Sequence, residues 1–189
     1  MSNEFEHELI ENIPHLRAFG RFMTRNLDEA DDLVQETLVQ ALRARDQYQP
    51  GTNLKAWTFT ILRNLHISNT RRHGRVESLG QDALEKLTSA PDQHVNLRIE
   101  EVRRALAKLT PEHREIILLI AGSGFHCYEA AAICGCAVGT VKSRLSRARW
   151  ELFRLLSGDG PACEGTETSR RARTRPRRMS DAVALLLAA

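Results

Sequence analysis

The chain has 189 residues, which is enough for one ordinary domain or two small ones. Only 5% of the residues are aromatic, so the core must be mainly aliphatic, and packed helices are the natural way to build it. The formal net charge of +3 excludes a strongly basic field over the whole protein, so any binding of nucleic acid must come from local clusters of charge.

The first predicted helix lies within residues 3–24, where apolar residues recur at helical spacing. Pro14 falls inside this pattern, and a proline in a helix interior removes one backbone hydrogen bond and disturbs the preceding turn. The pattern therefore predicts either one helix that begins late or two helical pieces that meet near Pro14. The buried side would be formed by Phe5, Leu9, Ile13, Leu16 and Phe19.

A second helix is predicted to begin at Asp28, a good N-cap residue, with Asp31 in the capping-box position three residues later. Its buried stripe is predicted to contain Ala30, Leu33, Val34, Thr37, Leu38 and Ala41. The opposite side carries Asp31, Asp32, Gln35 and Glu36. Periodicity alone favours a solvated face matched to the helix dipole over a surface that binds a partner.

A third helix is predicted after the turn at residues 48–52, with Asn53 as its cap and its end near Arg72. Its inward residues would be Leu54, Trp57, Ile61, Leu62 and Leu65. Its exposed side is rich in basic and amide residues: Lys55, Arg63, Asn64, His66, Ser68, Asn69, Arg71 and Arg72. Such a face beside aromatic residues suits phosphate contacts and the capture of unstacked bases. The alternative is that Trp57 and Phe59 are core residues, and for Trp57 the core is favoured.

The helical pattern is lost between residues 73 and 94, where Gly, Ser and Pro accumulate, and this stretch is interpreted as a linker between two helical domains. Beyond it, a stripe of Leu97, Ile99, Val102, Leu106 and Leu109 predicts another helix. Thr110, Pro111 and Glu112 then form a helix start, followed by an apolar helix at residues 116–120 that ends at Gly122 and Gly124.

The most informative stretch is a basic helix at residues 137–149. Residues 128–133 form a short helix before it, and the two are joined by a turn of Cys134, Gly135 and Cys136. Helix, glycine-containing turn and basic helix together predict a helix-turn-helix, whose second helix normally enters the DNA major groove. Its buried stripe would be Val141, Leu145, Ala148 and Leu152, and its polar surface Thr140, Lys142, Ser143, Arg144, Arg147 and Arg149. The alternative is a solvated basic face on an ordinary helical hairpin.

The end of the chain, residues 157–189, holds a block of like charge around Pro176 that predicts a disordered basic tail. The apolar stretch from Ala182 to Ala189 is too short to span a bilayer, and the acidic residues 1–11 do not resemble a signal peptide. We therefore expect a cytoplasmic protein without a membrane segment, whose four cysteines are free thiols.

No catalytic or metal site is predicted from the sequence. A zinc site built on Cys127, Cys134 and Cys136 with His126 would fit the usual paired ligand spacings poorly. No nucleophile–base pair or phosphate-binding loop is recognisable, so we expect neither an enzyme nor a cofactor.

Two separated stretches resemble one family. Residues 28–37, DEADDLVQET, resemble the conserved helix of region 2 in bacterial sigma factors of the extracytoplasmic-function group. Residues 109–115, LTPEHRE, and 139–149, GTVKSRLSRAR, resemble region 4 of the same group. The resemblance covers about residues 5–156. It implies an all-α fold with region 2 at residues 5–75, a flexible linker at 76–94, a region 4 helix-turn-helix at 95–156 and the basic tail at 157–189.

Residues 129–140, EAAAICGCAVGT, are similar to the general-stress-response sigma factors of alphaproteobacteria. This similarity implies control of stress-response genes and a small anti-sigma protein that holds the chain inactive. His126 and Cys127 depart from the family pattern, in which a Ser or Thr cap is usual. Because His caps poorly, the first helix of the helix-turn-helix is expected to begin a residue late or to fray.

The resemblance implies promoter recognition as a subunit of RNA polymerase, without catalysis by this chain. Binding to core polymerase would use Asp31, Asp32, Gln35 and Glu36. Contacts to the −10 element would use Asn53, Lys55, Arg63, Asn64, Arg71 and Arg72, with a pocket for an extruded base in the loop at residues 48–53. The −35 element would be read by Thr140, Lys142, Ser143, Arg144, Arg147 and Arg149.

Two alternatives remain from the sequence. A sigma-like decoy would bind an anti-sigma protein without binding promoters, but the basic residues that a decoy should lose are present. A stand-alone helix-turn-helix regulator would leave the acidic helix and residues 53–72 without a role.

Overall fold

A computed structural model describes residues 2–24, 26–73 and 93–157. Every regular element in these ranges is helical, which confirms the predicted all-α fold class. The described parts of Met1–Ala90 and Phe125–Val141 form one compact unit, and those of Pro91–Gly124 and Lys142–Ala189 form a second. The linker expected at residues 76–94 falls almost wholly outside the described residues, as does the tail beyond Ser157.

Seven α-helices lie within the described residues, together with two shorter helical turns. A 3₁₀ turn at Arg45–Gln47 follows the second helix, and a π-helical turn at Leu118–Gly122 extends the fifth. The helices are α1 (Ser2–Thr24), α2 (Leu27–Arg43), α3 (Leu54–His73), α4 (Gln93–Lys108), α5 (Pro111–Ile117), α6 (Cys127–Cys134) and α7 (Val138–Ser157).

Helix α1 is continuous through Pro14, so the expectation of a late start or a break was wrong. Leu9 and Leu16 are buried on either side of the proline, and this packing keeps the two halves of the helix in line. Pro14 itself is exposed, as is Ile10, whose side chain is 62% accessible. The backbone bond that Pro14 cannot make therefore lies on the solvent side, where water can replace the missing amide.

Helix α2 begins at Leu27, and its N-cap is Asn26 rather than the predicted Asp28. The Asn26 side-chain oxygen accepts a 3.0 Å hydrogen bond from the Asp28 amide, and its Nδ2 donates to Glu29 Oε1 at 3.3 Å. Asp28 thus lies in the first turn, where its carboxylate interacts favourably with the positive end of the helix dipole. The predicted stripe is confirmed: Leu38 is half-buried, and the buried residues are Ala30, Leu33, Val34, Thr37 and Ala41.

Asn53 caps α3 as predicted, because its side-chain oxygen accepts a 3.0 Å hydrogen bond from the Ala56 amide. Phe59 is a core residue whose ring lies 5.0 Å from that of Phe19. Trp57 is half-buried and packs against Tyr48, with ring centroids 5.5 Å apart. Both aromatic residues of this helix are therefore used in packing, which favours the core alternative over base stacking.

The predicted start of α5 is confirmed. Thr110 is the N-cap, its hydroxyl accepts a hydrogen bond from the His113 amide at 3.3 Å, and Pro111 occupies the first turn. The helix then widens into the π-helical turn, in which the Ser123 amide donates to the Leu118 carbonyl at 2.8 Å.

A buried arginine fastens α4 to α5. Arg114 donates from Nε and Nη2 to three backbone carbonyls at 2.9 Å each, those of Leu106, Ala107 and Leu109. These carbonyls lie at the end of α4, where a helix leaves acceptors without amide partners. The guanidinium thus adds hydrogen-bond donors at this helix end and fixes the angle at which α5 leaves α4.

Candidate DNA and polymerase interfaces

Helix α7 has the buried stripe that the sequence predicts. Val141, Ala148 and Leu152 are fully buried, and Leu145 is nearly so. Helical periodicity then leaves the basic side of the helix pointing away from its own core.

The six polar residues expected to contact the −35 element do not form a single surface. Thr140, Ser143, Arg144 and Arg147 follow spacings of three, one and three, so they share one side of α7. Lys142 and Arg149 are seven residues apart and lie on the other side of the exposed face. Thr140 and Arg144 are half-buried, whereas the remaining four are exposed. A helix lying in a groove can direct one such side at base edges while the other approaches phosphates.

The turn before α7 depends on Gly135, which adopts φ 62° and ψ 38°. Its amide donates to the Ala132 carbonyl at 3.3 Å, and the Cys136 amide donates to the Ala131 carbonyl at 3.0 Å. This left-handed cap closes the end of α6 and favours glycine. The predicted helix, turn and helix are therefore present.

The start of α6 differs from expectation. The helix begins at Cys127, directly after His126, so the expected late start was wrong. Glu129 Oε2 accepts a 2.7 Å hydrogen bond from the His126 amide, which is the acidic half of a capping box. The acid in the third position thus compensates for the weak cap that a histidine provides.

The residues on the acidic side of α2 differ in their exposure to solvent. Asp32, Gln35 and Glu36 are exposed. Asp31 is half-buried, and its Oδ1 lies 3.4 Å from Arg17 Nε of α1. Glu36 Oε2 accepts a weak hydrogen bond of 3.4 Å from Asn69 Nδ2 of α3.

Two exposed apolar residues of α2 were missed by the sequence reasoning. Val39 is 46% accessible and Leu42 is 45% accessible. They follow Gln35 at spacings of four and three, so the acidic first half of this face continues into an apolar second half. The signal was available in the sequence, because both residues fall outside the predicted buried stripe.

The second half of α3 brings together four of the six residues expected to contact the −10 element. A surface depression runs along this helix, and its lining is formed by Arg63, Asn64, Ile67, Ser68, Arg71 and Arg72. Burial lowers the pKa of the neighbouring His66, and the charge of Arg63 lowers it further. The positive charge of this face at neutral pH therefore comes from its arginines.

Asn53 and Lys55 lie apart from that depression, at the start of α3. Lys55 precedes Arg63 by eight residues, or about 12 Å along the helix axis. Asn53 Nδ2 donates a 2.7 Å hydrogen bond to Glu129 Oε1 of α6. Lys55 Nζ lies 5.4 Å from the ring centroid of Phe125. Burial lowers the pKa of Lys55, and the Glu129 carboxylate opposes this shift.

The loop expected to hold a base pocket is closed on itself. Tyr48 Oη donates to the Thr52 carbonyl at 2.6 Å, and Thr52 Oγ1 donates to the Gln49 carbonyl at 2.8 Å. Gly51 adopts φ 86°, a left-handed value that favours glycine. A base pocket in this loop therefore stays a prediction.

Within the described ranges, no group of three or more His, Cys, Asp or Glu side chains is placed to hold a metal ion. Cys127, Cys134 and Cys136 carry reduced thiols in the structure. Among the described helices, none combines the length and the apolar character needed to cross a membrane.

Comparison with known proteins places both halves of the chain in one family. Residues 9–76 match the family model of sigma-70 region 2, and residues 99–152 match that of sigma-70 region 4. Over 173 residues the chain is 47% identical to the ECF RNA polymerase sigma factor EcfG of Rhodopseudomonas palustris (strain TIE-1), covering 91% of this chain and 96% of the relative.

Two solved structures of sigma factors are similar to this chain in fold and sequence. The sigma factor RpoE, co-crystallised with the anti-sigma factor NepR from Bartonella quintana, matches with a TM-score of 0.74 and 43% identity over 83% of this chain and 99% of that chain. CnrH, solved in complex with the cytosolic domain of CnrY, matches with a TM-score of 0.61 and 27% identity over 85% of this chain and 92% of that chain.

Region 2 followed by region 4 is the arrangement of a sigma factor, a class of transcription regulators that direct RNA polymerase. This chain belongs to the extracytoplasmic-function (ECF) family of RNA polymerase sigma factors. The resemblance found in the sequence is thereby confirmed.

Proposed function

We propose that this sigma factor binds polymerase and promoter DNA through three separate helical surfaces and catalyses no reaction itself. The observation that carries the proposal is the distribution of charge among exposed helix faces. The face of α2 is acidic, the second half of α3 is basic and amide-rich, and the exposed side of α7 is basic. Its place of action is the cytoplasm, where polymerase and promoters are found.

The α2 surface is proposed to bind the clamp helices of the largest catalytic subunit of polymerase. Its polar contacts would be Asp31, Asp32, Gln35 and Glu36, with the greatest contribution from the exposed Asp32 and Glu36. Val39 and Leu42 would add apolar contact area next to these charges. A charged edge beside a small apolar strip is a usual composition for a specific protein interface.

The α3 surface is proposed to hold the −10 element. Arg63, Arg71 and Arg72 would contact phosphates, and the amide of Asn64 has the donor and acceptor groups that a base edge requires. Asn53 and Lys55 would contact the strand at the other end of the helix. Extruding a base costs a few kcal/mol, so phosphate contacts along the whole helix would be needed to offset it.

The α7 surface is proposed to read the −35 element in the major groove. Arg144 and Arg147 lie on the same side of the helix as Thr140 and Ser143, and arginine can make a bidentate contact to guanine. Lys142 and Arg149 would contact phosphates from the other side and so set the position of the helix on the duplex.

The proposed functional boundaries are region 2 at residues 5–75, a linker at 76–94, region 4 at 95–156 and a basic tail at 157–189. Their support is the position of the family matches, which cover residues 9–76 and 99–152.

We further propose that a small anti-sigma protein holds this chain inactive and that the chain controls stress-response genes. The sigma factor RpoE, to which this chain is 43% identical, was crystallised with the anti-sigma factor NepR. Trp150 and Phe153 at the end of α7 are exposed large aromatic residues, 61% and 51% accessible, and are a candidate contact for such a partner.

Run-off transcription on a library of genomic fragments tests the function. Core polymerase with the chain should produce discrete transcripts that core polymerase alone does not. The Asp32→Lys/Glu36→Lys variant should remove them. A chain that binds an anti-sigma protein but produces no transcripts would instead be a decoy.

A further inference from the structure

A side-chain hydrogen bond joins the first turn of α5 to the second half of α7. His113 Nδ1 and Glu151 Oε2 are 2.9 Å apart, and the two side chains are only 18% and 35% accessible. An ionised carboxylate can only accept a hydrogen bond, so the ring nitrogen is the donor. Both residues belong to the second unit, and their separation of 38 residues makes the contact a tertiary link between two helices.

The α5 side of this contact is held in place by its neighbours. The His113 amide donates to Thr110 Oγ1 at 3.3 Å, which is the cap of the helix. The next residue, Arg114, donates to three backbone carbonyls at and just after the end of α4. His113 therefore lies in a turn that is both capped and fastened to α4, and it gives α7 a fixed point of contact within the second unit.

The α7 side of the contact lies on the flank of that helix. Glu151 follows Arg144 by seven residues and Arg147 by four, so all three residues share one side of α7. Glu151 also directly precedes the buried Leu152, and successive residues are about 100° apart around a helix. His113 thus holds α7 from the side that carries the two arginines, while the buried stripe faces the core.

A contact on the flank controls a motion that the buried stripe controls only weakly. The stripe packs through apolar side chains, and apolar contacts have no preferred direction, so they resist rotation of α7 about its own axis poorly. A hydrogen bond depends on both distance and angle. A rotation of about 20° moves groups at the helix surface, about 6 Å from the axis, by about 2 Å. A shift of that size breaks a bidentate contact between an arginine and guanine.

We propose that His113 and Glu151 are positioning residues for promoter reading, whose hydrogen bond fixes the rotation of α7 and so directs Arg144 and Arg147 at the −35 element. This inference rests on the proposed role of the two arginines in reading that element. Neither His113 nor Glu151 needs to touch DNA, because each acts through the direction of the arginines. Loss of the hydrogen bond should therefore weaken the choice between promoters.

Transcription by core polymerase with the full-length chain tests the inference on two templates, a promoter from the run-off screen and a copy with a substituted −35 element. The measured quantity is the ratio of the two transcripts. His113→Ala and Glu151→Ala should each lower this ratio about fivefold, or about 1 kcal/mol, the lower end of the range for a bidentate base contact. The double variant should lower it no further, because both changes remove the same contact.

Two further variants make the result specific. Glu151→Gln keeps a side-chain oxygen that can accept from His113 Nδ1, so it should retain most of the wild-type ratio. Glu100→Ala removes an acid of α4 in the same unit, together with its 3.4 Å ion pair to Arg104, and should leave the ratio unchanged. Circular dichroism at the assay temperature measures the folded fraction of each variant. A purely structural role would lower both transcripts alike and leave their ratio unchanged.

An unchanged ratio in His113→Ala or in Glu151→Ala would overturn the inference. Losses that add in the double variant would overturn it too, since the two residues would then act independently. The same conclusion follows if Glu151→Gln loses as much as Glu151→Ala, or if Glu100→Ala shows an equal loss. Failure of the proposed function is a different result, namely a wild-type chain that gives no promoter-dependent transcript or that transcribes both templates equally.

Discussion

Arg17 of α1 and Asp31 of α2 form an ion pair, with 3.4 Å between Arg17 Nε and Asp31 Oδ1. That oxygen is buried and makes no hydrogen bond in the structure, so the charge of Arg17 is its compensation. Asp32, one residue later, is exposed. Two adjacent aspartates of one acidic helix therefore differ, since the first is tied to α1 and the second faces solvent.

Reversing charge on the exposed part of α2 should abolish binding to polymerase. Asp32→Lys/Glu36→Lys places two cations where the proposed interface needs anions, and the chain should no longer co-purify with core enzyme. The matched control is Glu4→Lys/Glu8→Lys, which reverses two exposed acids of α1 at the same spacing. Polymerase binding retained by the α2 variant, or lost equally in the control, would contradict the assignment.

Arg144→Ala should reduce promoter discrimination. Loss of a bidentate base contact costs about 1–3 kcal/mol on the correct site, so the ratio of specific to random duplex binding should fall. Arg149→Ala, on the other side of α7, should weaken both duplexes equally and lower the salt dependence of binding. Equal losses on both duplexes for Arg144→Ala would identify it as a phosphate contact, and titrations at several salt concentrations distinguish the two cases.

Arg114→Met should destabilise the second unit. The change removes the guanidinium donor from three backbone carbonyls at and just after the end of α4, which should lower the free energy of unfolding by about 2–4 kcal/mol. Arg104→Met is the control, because Arg104 is exposed on α4 and its ion pair with Glu100 should contribute less than about 1 kcal/mol. Urea denaturation followed by circular dichroism measures both, and equal stability of the two variants would refute the role of Arg114.

His66 should make the protein less stable at mildly acidic pH. Burial, and then the charge of Arg63, lowers the pKa of His66 in the folded state. As the pH falls through about 6.5, the unfolded chain takes up this proton before the folded protein does, so the free energy of unfolding decreases. His66→Asn should therefore lose less stability than wild type between about pH 7.5 and pH 5.5. Parallel pH profiles for the two proteins would contradict this account.

The sequence predicts the features that depend on neighbours in the chain. The buried stripes of α2 and α7 follow from periodicity, and the caps at Asn53 and Thr110 follow from residue type and position. The predicted cap of α2 was wrong because Asn26 and Asp28 are both good N-cap residue types, and residue type alone does not decide between them.

Features that depend on distant parts of the chain could not be predicted. Asn53 and Glu129 are 76 residues apart, and no pattern around either indicates the other. The same holds for Asp31, which forms an ion pair with Arg17 of another helix.

The division of the six polar residues of α7 into two sides could have been predicted, because it follows from helical spacing alone.

We propose that this chain reads two promoter elements only as part of polymerase. Footprinting on a promoter identified by the run-off screen tests it most directly, with the chain alone, core polymerase alone and the two together. We expect protection of both the −35 and −10 elements only in the mixture, and we expect the Asp32→Lys/Glu36→Lys variant to lose it. Equal protection by the chain alone, or no protection in the mixture, would contradict it.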